Sequence, residues 1–317
     1  MDMTDFSLSP EAPALVIGAA GVDVVGRMRG ELHPGTSNPA QIRTSFGGVA
    51  RNVAENLARL GQPVKLISVV GDDQIGDQLI ERLVSTRVNV DGVIRTDKFF
   101  TGAYLAVVNA SGEMQFGLDD MRATNLLVPE HIREREDLFK NASILFLDAN
   151  IPKDTLRTIL SLARRYHLPV CSDPTSAVLA QRLRPHLSRL SLITPNCAEA
   201  GILCDEPFNS SRRREALQAA KCLVGQGVQI VIITMAEFGV VYATSETSGY
   251  IPSMRTTIVD PTGAGDALTA TVLFALLNDI PLDDAIRLGV SAASLTLRYR
   301  GTVVPDLSLE KLYDQLI

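Results

Sequence analysis

The sequence predicts an α/β fold of three layers, in which a mostly parallel central sheet lies between two layers of helices. Short runs rich in apolar and β-branched residues have the composition of strands that are buried on both faces. Longer amphipathic segments lie between these runs, and strands that alternate with helices typically pair in parallel because each helix carries the chain back across the sheet. The predicted strands are 14–18, 64–71, 143–149, 168–173, 190–196 and 228–234, and the predicted helices are 48–61, 74–87, 153–167 and 213–227.

Two stretches interrupt this alternation. Residues 22–46 contain no helical pattern, and residues 98–118 have the pattern of a β-hairpin with the turn Asn-Ala-Ser-Gly at 109–112. We expect both stretches to form a small β lid beside the main sheet; the alternative is that they are additional edge strands. The chain shows no internal repeat and no shift in composition, so residues 1–317 are predicted to form a single domain that includes this lid.

Composition and charge exclude several classes of function. The 317 residues carry a net charge of −6 without a dense Lys/Arg tract, which argues against binding nucleic acid by release of counterions. The four cysteines show neither zinc-site spacing nor a disulfide framework, and are expected to be thiols in a reducing compartment. The polar start is unlike a signal peptide, and the apolar runs are far shorter than the roughly 20 residues of a membrane span. We therefore expect a cytoplasmic protein whose partners are small molecules, with no nucleic acid and no membrane among them.

One segment near the C-terminus has the pattern of an anion site. Residues 258–270 read IVDPTGAGDALTA, in which Gly263, Ala264 and Gly265 precede an apolar helix predicted to begin near Asp266. Backbone N–H groups at a helix N-terminus favour a phosphate, and glycines let the backbone approach it closely. Asp266 repels a phosphate, but it is well suited to accept a proton from a hydroxyl beside one. The alternative is an ordinary aspartate in the first turn of a helix.

Two further motifs lie at the starts of helices. Gly47 and Gly48 open the predicted helix 48–61, and Asn52 in its first turn can donate to and accept from a ligand hydroxyl. Asn196 and Glu199 follow a predicted strand, and their spacing of three places both side chains on one face of a helix. A carboxylate at that position suits a hydrated Mg²⁺. The alternatives are a turn with a surface asparagine, and an N-cap with a glutamate in the first turn.

The three motifs occur together and in order, as GGxxxN at 47–52, NxxE at 196–199 and DPTGAGD at 260–266. A Walker-type phosphate loop is missing, and no glycine pattern completes a dinucleotide-binding fingerprint. On these three motifs the chain resembles the ribokinase-like, or PfkB, carbohydrate kinase family over essentially its full length. The last motif is highly specific, and the joint occurrence of all three is more specific still.

The resemblance implies a ribokinase-like fold and a kinase that uses ATP and Mg²⁺ to phosphorylate a sugar or nucleoside. Asp266 would be the catalytic base, Gly263, Ala264 and Gly265 the anion hole, and Glu199 a ligand of Mg²⁺ through water. The resemblance leaves open a monovalent cation such as K⁺ near residues 260–262 and 294–301, and a homodimer formed through the lid. The implied substrate-binding residues are Asp23, Gly47, Gly48 and Asn52, and the implied nucleotide-binding residues are Asn196, Thr234, Gly239, Thr262, Gly263 and Gly265.

The chain departs from the family pattern at a few positions. Gly21 stands where many members have Asn, which removes one substrate hydrogen bond. Ala236 replaces a frequent glycine in the nucleotide loop, and Ala270-Thr271 follows the predicted base where the family often has two small residues. None of these departures removes the predicted base or the anion hole.

The choice of acceptor depends on a finer resemblance. Segments 35–61, 101–114 and 118–121 resemble the pseudouridine kinase branch of the family, which shares a Ser-Asn-Pro segment before the glycines and an Arg before the Asn. Ser37, Asn38, Arg51 and Thr101 would supply polar groups to the uracil ring. We therefore expect transfer of the γ-phosphoryl group of ATP to the 5′-hydroxyl of a ribosyl compound, with pseudouridine as the best match. The alternatives are a kinase of ribose, fructose or inosine, and a ligand-binding sensor of the same fold.

Overall fold

The centre of the protein is a large sheet. The structure is a computed structural model that describes residues 10–111, 113–208 and 212–316, and within these residues the sheet has nine strands. From one edge to the other they are β15 (Ser248–Ile251), β14 (Val240–Ala243), β13 (Ile230–Thr234), β12 (Leu192–Ile193), β11 (Val170–Asp173), β10 (Ile144–Asp148), β1 (Ala14–Ile17), β4 (Val64–Ile67) and β6 (Val88–Asn89).

The strands from β13 to β6 pair in parallel, which confirms the mostly parallel sheet. The central strand β1 shows why these runs are apolar throughout. Leu15 and Ile17 point into one hydrophobic core, whereas Ala14 and Val16 point into another, so both faces of the strand are buried. The strands β14 and β15 add an antiparallel edge that the sequence pattern did not predict.

Helices cover both faces of the sheet and complete three layers. Each of the four predicted helices is present, and each ends two residues before its predicted end. The first layer contains α1 (Val49–Arg59), α2 (Gln74–Ser85), α9 (Ala264–Leu277), α10 (Leu282–Leu297) and α11 (Leu309–Asp314). The second layer contains α3 (Pro129–Arg133), α4 (Glu136–Lys140), α5 (Lys153–Arg165), α6 (Ala177–Ala180), α7 (Cys197–Cys204) and α8 (Arg213–Gly225).

The two stretches that interrupt the α/β alternation form a sheet of their own. Its four strands, in spatial order, are β3 (Ala40–Gly47), β2 (Gly21–Met28), β8 (Gly102–Val108) and β9 (Met114–Asp120). The Asn109 N–H donates to the Glu113 carbonyl at 2.9 Å and closes the hairpin between β8 and β9. Gly112, the last residue of the predicted turn, lies outside the described residues.

Some element boundaries differ from the prediction. The run 64–71 is two strands, because the chain leaves the main sheet at Ser68, and its second half, β5 (Val69–Gly71), pairs with β7 (Ile94–Thr96). The Ser68 hydroxyl donates to the Gly18 carbonyl at 2.6 Å at this point. The helix predicted to begin near Asp266 begins at Ala264, with Gly263 as its N-cap. None of the helices in the described ranges is long and apolar enough to cross a membrane.

Candidate active site

The turn before α9 has the conformation that an anion site requires. Gly263 has a φ of +81°, and a Cβ atom there would collide with the Thr302 carbonyl oxygen, so the position needs a glycine. Among the described residues, the N–H groups of Gly265 and Asp266 have no backbone acceptor. A Cβ atom at Gly265 would meet nothing within 4 Å. The first turn of α9 therefore presents free N–H groups to open space.

Asp266 follows this turn and is held from the opposite side by α1. The Asn52 Nδ2 atom donates to Asp266 Oδ2 at 2.6 Å. Burial raises the pKa of Asp266 to about 7; the Asn52 hydrogen bond and the Arg51 charge oppose this rise, and the charges of Asp23 and Asp148 add to it. A carboxylate whose pKa lies near neutrality is a suitable general base at physiological pH.

Asp23 lies at the same site on β2. Its carboxylate packs against Gly47, where a Cβ atom would collide with it, so this glycine makes room for the acid. Burial raises the pKa of Asp23 to about 6; the charge of Arg51 opposes this rise and that of Asp260 adds to it. Asp23, Gly47, Asn52 and Asp266 thus come together from three separate parts of the chain.

The glycine loop before α1 is held by a carboxylate that the sequence analysis missed. Asp148, at the end of β10, is fully buried, and its Oδ2 atom accepts from the N–H groups of Ala19 at 2.8 Å and Ala50 at 3.2 Å. Burial raises the pKa of Asp148, and the backbone hydrogen bonds oppose this rise. Gly48 has a φ of +92°, and a Cβ atom there would collide with the Ala19 carbonyl oxygen. The signal for Asp148 in the sequence was its place at the carboxyl end of a buried strand.

Arg51 is buried and surrounded by acceptors of the protein itself. Its Nη1 atom donates to Glu55 Oε2 at 2.6 Å and its Nη2 atom to Thr302 Oγ1 at 2.7 Å. The same Nη2 atom also contacts Asn52 Oδ1, which leaves the Asn52 Nδ2 atom to face Asp266. Arg51 therefore orients the Asn52 amide, and its guanidinium is occupied within the protein.

Asn196 and Glu199 form a capping box at the start of α7. Asn196 Oδ1 accepts from the Glu199 N–H at 3.0 Å, and Glu199 Oε2 accepts from the Asn196 N–H at 2.8 Å. Besides its capping role, Glu199 lies close enough to Asp173 for its charge to act on that acid. Asp173 is a second acid that the sequence analysis did not identify. Burial raises its pKa, and the charges of Glu199 and Asp266 raise it further.

A cavity of about 630 Å³ opens beside the anion turn. It brings together Asn196, Thr234, Gly239, Ala264 and Gly265, all predicted for the nucleotide site or the anion hole. Its remaining walls are largely apolar and include Met254, Ile258, Leu268, Val290 and Leu297. A volume of this size with few polar groups is typical of a small-molecule site.

The loop at one end of this cavity accommodates two unusual backbone conformations. Gly239 has a φ of +85°, and a Cβ atom there would collide with the Ile251 carbonyl oxygen. Ala236, which replaces a frequent glycine of the family, has a φ of +49°. The alanine therefore adopts the left-handed conformation that a glycine adopts more readily.

Comparison with known proteins identifies the family of the chain. The model of the pfkB family of carbohydrate kinases matches residues 12–308. The chain belongs to the pfkB family. This pfkB kinase is 31% identical to the pseudouridine kinase of Escherichia coli (strain K12) over 296 residues, which cover 93% of each chain. It is 30% identical to the guanosine-inosine kinase of Exiguobacterium acetylicum over 295 residues, 92% of this chain and 97% of the relative.

Solved structures agree with this assignment. A carbohydrate kinase from Agrobacterium tumefaciens superimposes with a TM-score of 0.81 at 27% identity, covering 96% of this pfkB kinase and 97% of that chain. The family resemblance and the ribokinase-like fold predicted from three short motifs are therefore confirmed. Members of the family transfer a phosphoryl group to a hydroxyl group, so the chain is a sugar or nucleoside kinase.

Three residues predicted to contact substrate or nucleotide have other partners in this pfkB kinase, and a fourth, Ser37, is exposed. The Thr101 hydroxyl accepts from the Gly71 N–H at 2.9 Å and donates to Asp73 Oδ1 at 2.8 Å. The Asn38 side chain bonds to its own loop, at the His33 N–H and at the carbonyls of His33 and Thr36. Ser37 is exposed in the same loop. The Thr262 N–H donates to Asp260 Oδ1 at 3.0 Å, and Thr262 is not among the described residues that line the 630 Å³ cavity.

Proposed function

We propose that this pfkB kinase transfers the γ-phosphoryl group of ATP to the 5′-hydroxyl of a ribosyl compound, with pseudouridine as the preferred acceptor. The observation that carries the kinase site is the hydrogen bond from Asn52 to Asp266. Through this bond, the Asn52 amide, which is predicted to bind the acceptor, contacts the predicted base. Both groups lie next to the free N–H groups at the start of α9.

The proposed step uses these residues as follows. The carboxylate of Asp266 accepts the proton of the acceptor hydroxyl, and the hydroxyl oxygen bonds to the γ-phosphorus. At the same time the bond from the γ-phosphorus to the bridging oxygen breaks and ADP leaves. The N–H groups of Gly265 and Asp266 stabilise charge that develops on the phosphoryl oxygens. Asn52 holds the carboxylate in place, Arg51 holds Asn52, and Thr302 holds Arg51 in turn.

The cavity beside α9 fits the nucleotide. Its apolar walls suit a flat base, and its polar end lies at Ala264 and Gly265, where a phosphate chain would reach the anion turn. Asn196 and Thr234 lie on the same wall and are joined by an isolated β-bridge. We place ATP in this cavity.

Mg²⁺ fits the acids near the phosphate end. Asp173 and Glu199 have raised pKa values because both are buried and because Asp173 lies near the charges of Glu199 and Asp266. A bound cation would offset this repulsion. Among the described residues, no group of three or more His, Cys, Asp or Glu side chains has the arrangement of a direct metal site, which favours a hydrated ion held through water by Glu199 and Asp173. Mg²⁺ bound there would neutralise charge on the transferring phosphate.

We propose that the acceptor lies between Asp266 and the face of the second sheet that carries Asp23, and that this sheet acts as a lid. In that sheet Asp23 pairs with Tyr104, and Tyr104 pairs with Asp119, so the three side chains lie in one row on one face. Burial raises the pKa of Tyr104, and the charges of Asp23 and Asp119 raise it further. The row supplies acceptors for ring N–H groups on the side of the sheet that bears Asp23.

Pseudouridine suits this row better than uridine does. Its base is joined to ribose by a C–C bond, which leaves an additional ring N–H donor, and Asp119 can accept from such a donor. The likeness to the pseudouridine kinase of Escherichia coli supports the same acceptor. A second candidate is a purine nucleoside, which the likeness to a guanosine-inosine kinase favours. Ribose and fructose are further candidate acceptors, and a ligand-binding sensor without turnover is the candidate of another functional class.

One experiment separates these candidates. The purified protein is given Mg-ATP and, in turn, pseudouridine, uridine, inosine, guanosine, ribose and fructose, and ADP formation is followed. We expect the highest kcat/KM with pseudouridine and a 5′-monophosphate product by ³¹P NMR. A higher kcat/KM for inosine, guanosine or a free sugar would change the acceptor but keep the kinase. Binding of a nucleoside without ADP formation would identify a sensor.

A further inference from the structure

A second cavity lies away from the nucleotide cavity and is bounded by α1, α2, β3 and residues 299–303. Its volume is about 550 Å³, within the range of small-molecule sites. None of Asp23, Asn52 and Asp266 lines it. Among the described residues, its polar lining consists of Thr44, Ser45, Arg51, Glu55, Gln78, Arg82, Tyr299, Arg300 and Thr302.

The charges around this cavity are unbalanced in favour of cations. Glu55 is the only carboxylate among the described lining residues, and it is fully buried. Three guanidinium groups share it, those of Arg51 at 2.6 Å, Arg59 at 2.7 Å and Arg82 at 2.8 Å. Asp23 and Asp266 offset part of the charge of Arg51, and Asp306 offsets part of that of Arg59. The excess of positive charge beside the cavity therefore lies at Arg82, which shares Glu55 with the other two groups.

Arg300 adds a further positive charge. It is exposed, and in the described part of the chain it makes neither a hydrogen bond through its side chain nor an ion pair. Arg82 is held on one side only, by Glu55, and its side chain is 36% exposed. Guanidinium groups bind phosphate oxygens through paired, charge-assisted hydrogen bonds, and the nearby hydroxyls of Thr44 and Tyr299 can add neutral ones.

We propose that this cavity binds a small phosphorylated anion, either inorganic phosphate or a phosphate monoester, at Arg82 and Arg300. Val22 and Phe46 line the cavity and pair with each other across β2 and β3, so their side chains point away from the sheet face that carries Asp23. The ligand would therefore lie on the opposite side of the second sheet from the acceptor. Binding at this cavity does not depend on which acceptor the kinase uses.

The cavity is connected to the catalytic residues by direct contacts. Thr302 lines it, and the Thr302 hydroxyl bonds to Arg51, which contacts the Asn52 amide. The Thr302 carbonyl oxygen lies where a side chain at Gly263 would be, so residues 299–303 also support the anion turn. An anion bound at Arg300 would therefore change the acceptor affinity through Asn52, the anion turn, or both.

The test measures binding directly. The protein is first saturated with a non-hydrolysable ATP analogue and Mg²⁺ so that the anion turn is filled, and calorimetry checks the saturation. Inorganic phosphate and glycerol 3-phosphate are then titrated separately at constant KCl. Glycerol is the neutral control. We expect saturable binding of one or both anions and none of glycerol. Preference for the monoester would indicate a phosphorylated metabolite as the ligand, and equal affinity would indicate free phosphate.

Variants locate the site. Arg300→Gln should weaken the binding about tenfold, as expected for the loss of a charge-assisted contact, and Arg82→Gln/Arg300→Gln should abolish it. Arg214→Gln, which changes an exposed arginine of α8 on the other layer of the protein, is the matched control and should leave the affinity unchanged. Unchanged affinity in Arg300→Gln, or no anion binding to the unaltered protein, would overturn the proposal. The dependence on Arg300 identifies this cavity even if the nucleotide analogue binds poorly.

Discussion

The Asn52 Nδ2 atom lies 2.6 Å from Asp266 Oδ2, and this hydrogen bond joins two residues that are 214 positions apart in the chain. It connects the helix that follows the glycine pair to the helix that follows the anion turn. The bond stabilises the charged form of Asp266, whereas burial favours the neutral form. The balance leaves the carboxyl able to lose and regain a proton near neutral pH.

The first prediction concerns the base. Asp266→Asn should lower kcat by roughly 10²- to 10⁴-fold, because the amide cannot accept the hydroxyl proton, while the affinity for ATP is kept. Steady-state kinetics and calorimetry with ATP measure the two quantities. Asp279→Asn, an exposed position with a φ of +56°, is the control, since asparagine tolerates that conformation. Turnover close to that of the unaltered enzyme in Asp266→Asn would remove the residue from the mechanism.

The second prediction concerns pH. Because Asp266 must be ionised to act as a base, kcat/KM should rise with pH through its raised pKa of about 7 and level off above it. Asn52→Ala removes a hydrogen bond that lowers this pKa, so the midpoint should move to higher pH. The pH profile of kcat/KM is the measurement, since it reports the pKa values of the free enzyme. A midpoint that stays in place in Asn52→Ala would contradict the role of this bond.

The third prediction concerns the metal. Glu199→Gln should raise the Mg²⁺ concentration that gives half-maximal activity, because the neutral amide holds a hydrated cation less well. Glutamine still serves in a capping box, so the helix α7 should keep its stability. Thermal unfolding without Mg²⁺ checks the second point. An unchanged Mg²⁺ titration would leave Glu199 with the capping role alone.

The fourth prediction concerns the acceptor. Asp119→Asn should lower kcat/KM for pseudouridine about tenfold or more and change kcat/KM for ribose little, because only the nucleoside places a ring N–H near this row. Asp120→Asn is the matched control, since Asp120 lies on the other face of β9 and pairs with Arg122 at 2.7 Å. Equal losses for ribose and pseudouridine in Asp119→Asn would place Asp119 outside the base site.

A related prediction concerns Asn38. The substitution Asn38→Ala should disturb the loop that contains Asn38 and so affect pseudouridine selectivity more than ATP use.

The fifth prediction concerns association through the lid. The face of the second sheet opposite Asp23 is apolar and exposed, with Ile42 at 69% and Leu118 at 61% exposure, beside Leu105 and Phe116. We expect this face to bind the same face of a second copy, because a contiguous exposed apolar patch favours association. Light scattering after gel filtration should show a dimer that Leu118→Lys converts to a monomer. Val178→Lys, at an exposed apolar residue of α6, should keep the dimer.

Much of the fold follows from local pattern. Each buried strand is a short apolar run because both of its faces are covered. Each of the four predicted helices is amphipathic because one of its faces is covered, and both patterns are complete within about ten to fifteen residues of sequence. The anion turn is local as well, since Gly263, Ala264, Gly265 and Asp266 are consecutive. For this reason the sequence predicted the central sheet, four helices and the turn before α9.

The tertiary structure decided which polar side chains remain free for a ligand. Arg51 and Thr101 have polar groups of the kind that a base site needs, but both are occupied. Glu55 and Thr302 accept from Arg51, and the Thr101 hydroxyl donates to Asp73 and accepts from the Gly71 N–H. Glu55 lies four residues from Arg51, but Thr302, Asp73 and Gly71 come from distant parts of the chain, so the neighbouring residues do not reveal these partners.

The same reason explains the acids that sequence analysis missed. Asp148 and Asp173 are the last residues of ordinary buried strands. Their significance comes from the glycine loop and from Glu199 and Asp266, which the parallel order of the strands brings to one edge of the sheet. The sequence by itself determined the central strands, four helices and the motif at the start of α9. The folded chain determined which carboxylates meet there, because Coulomb interactions and burial depend on distance in space and not on distance along the chain.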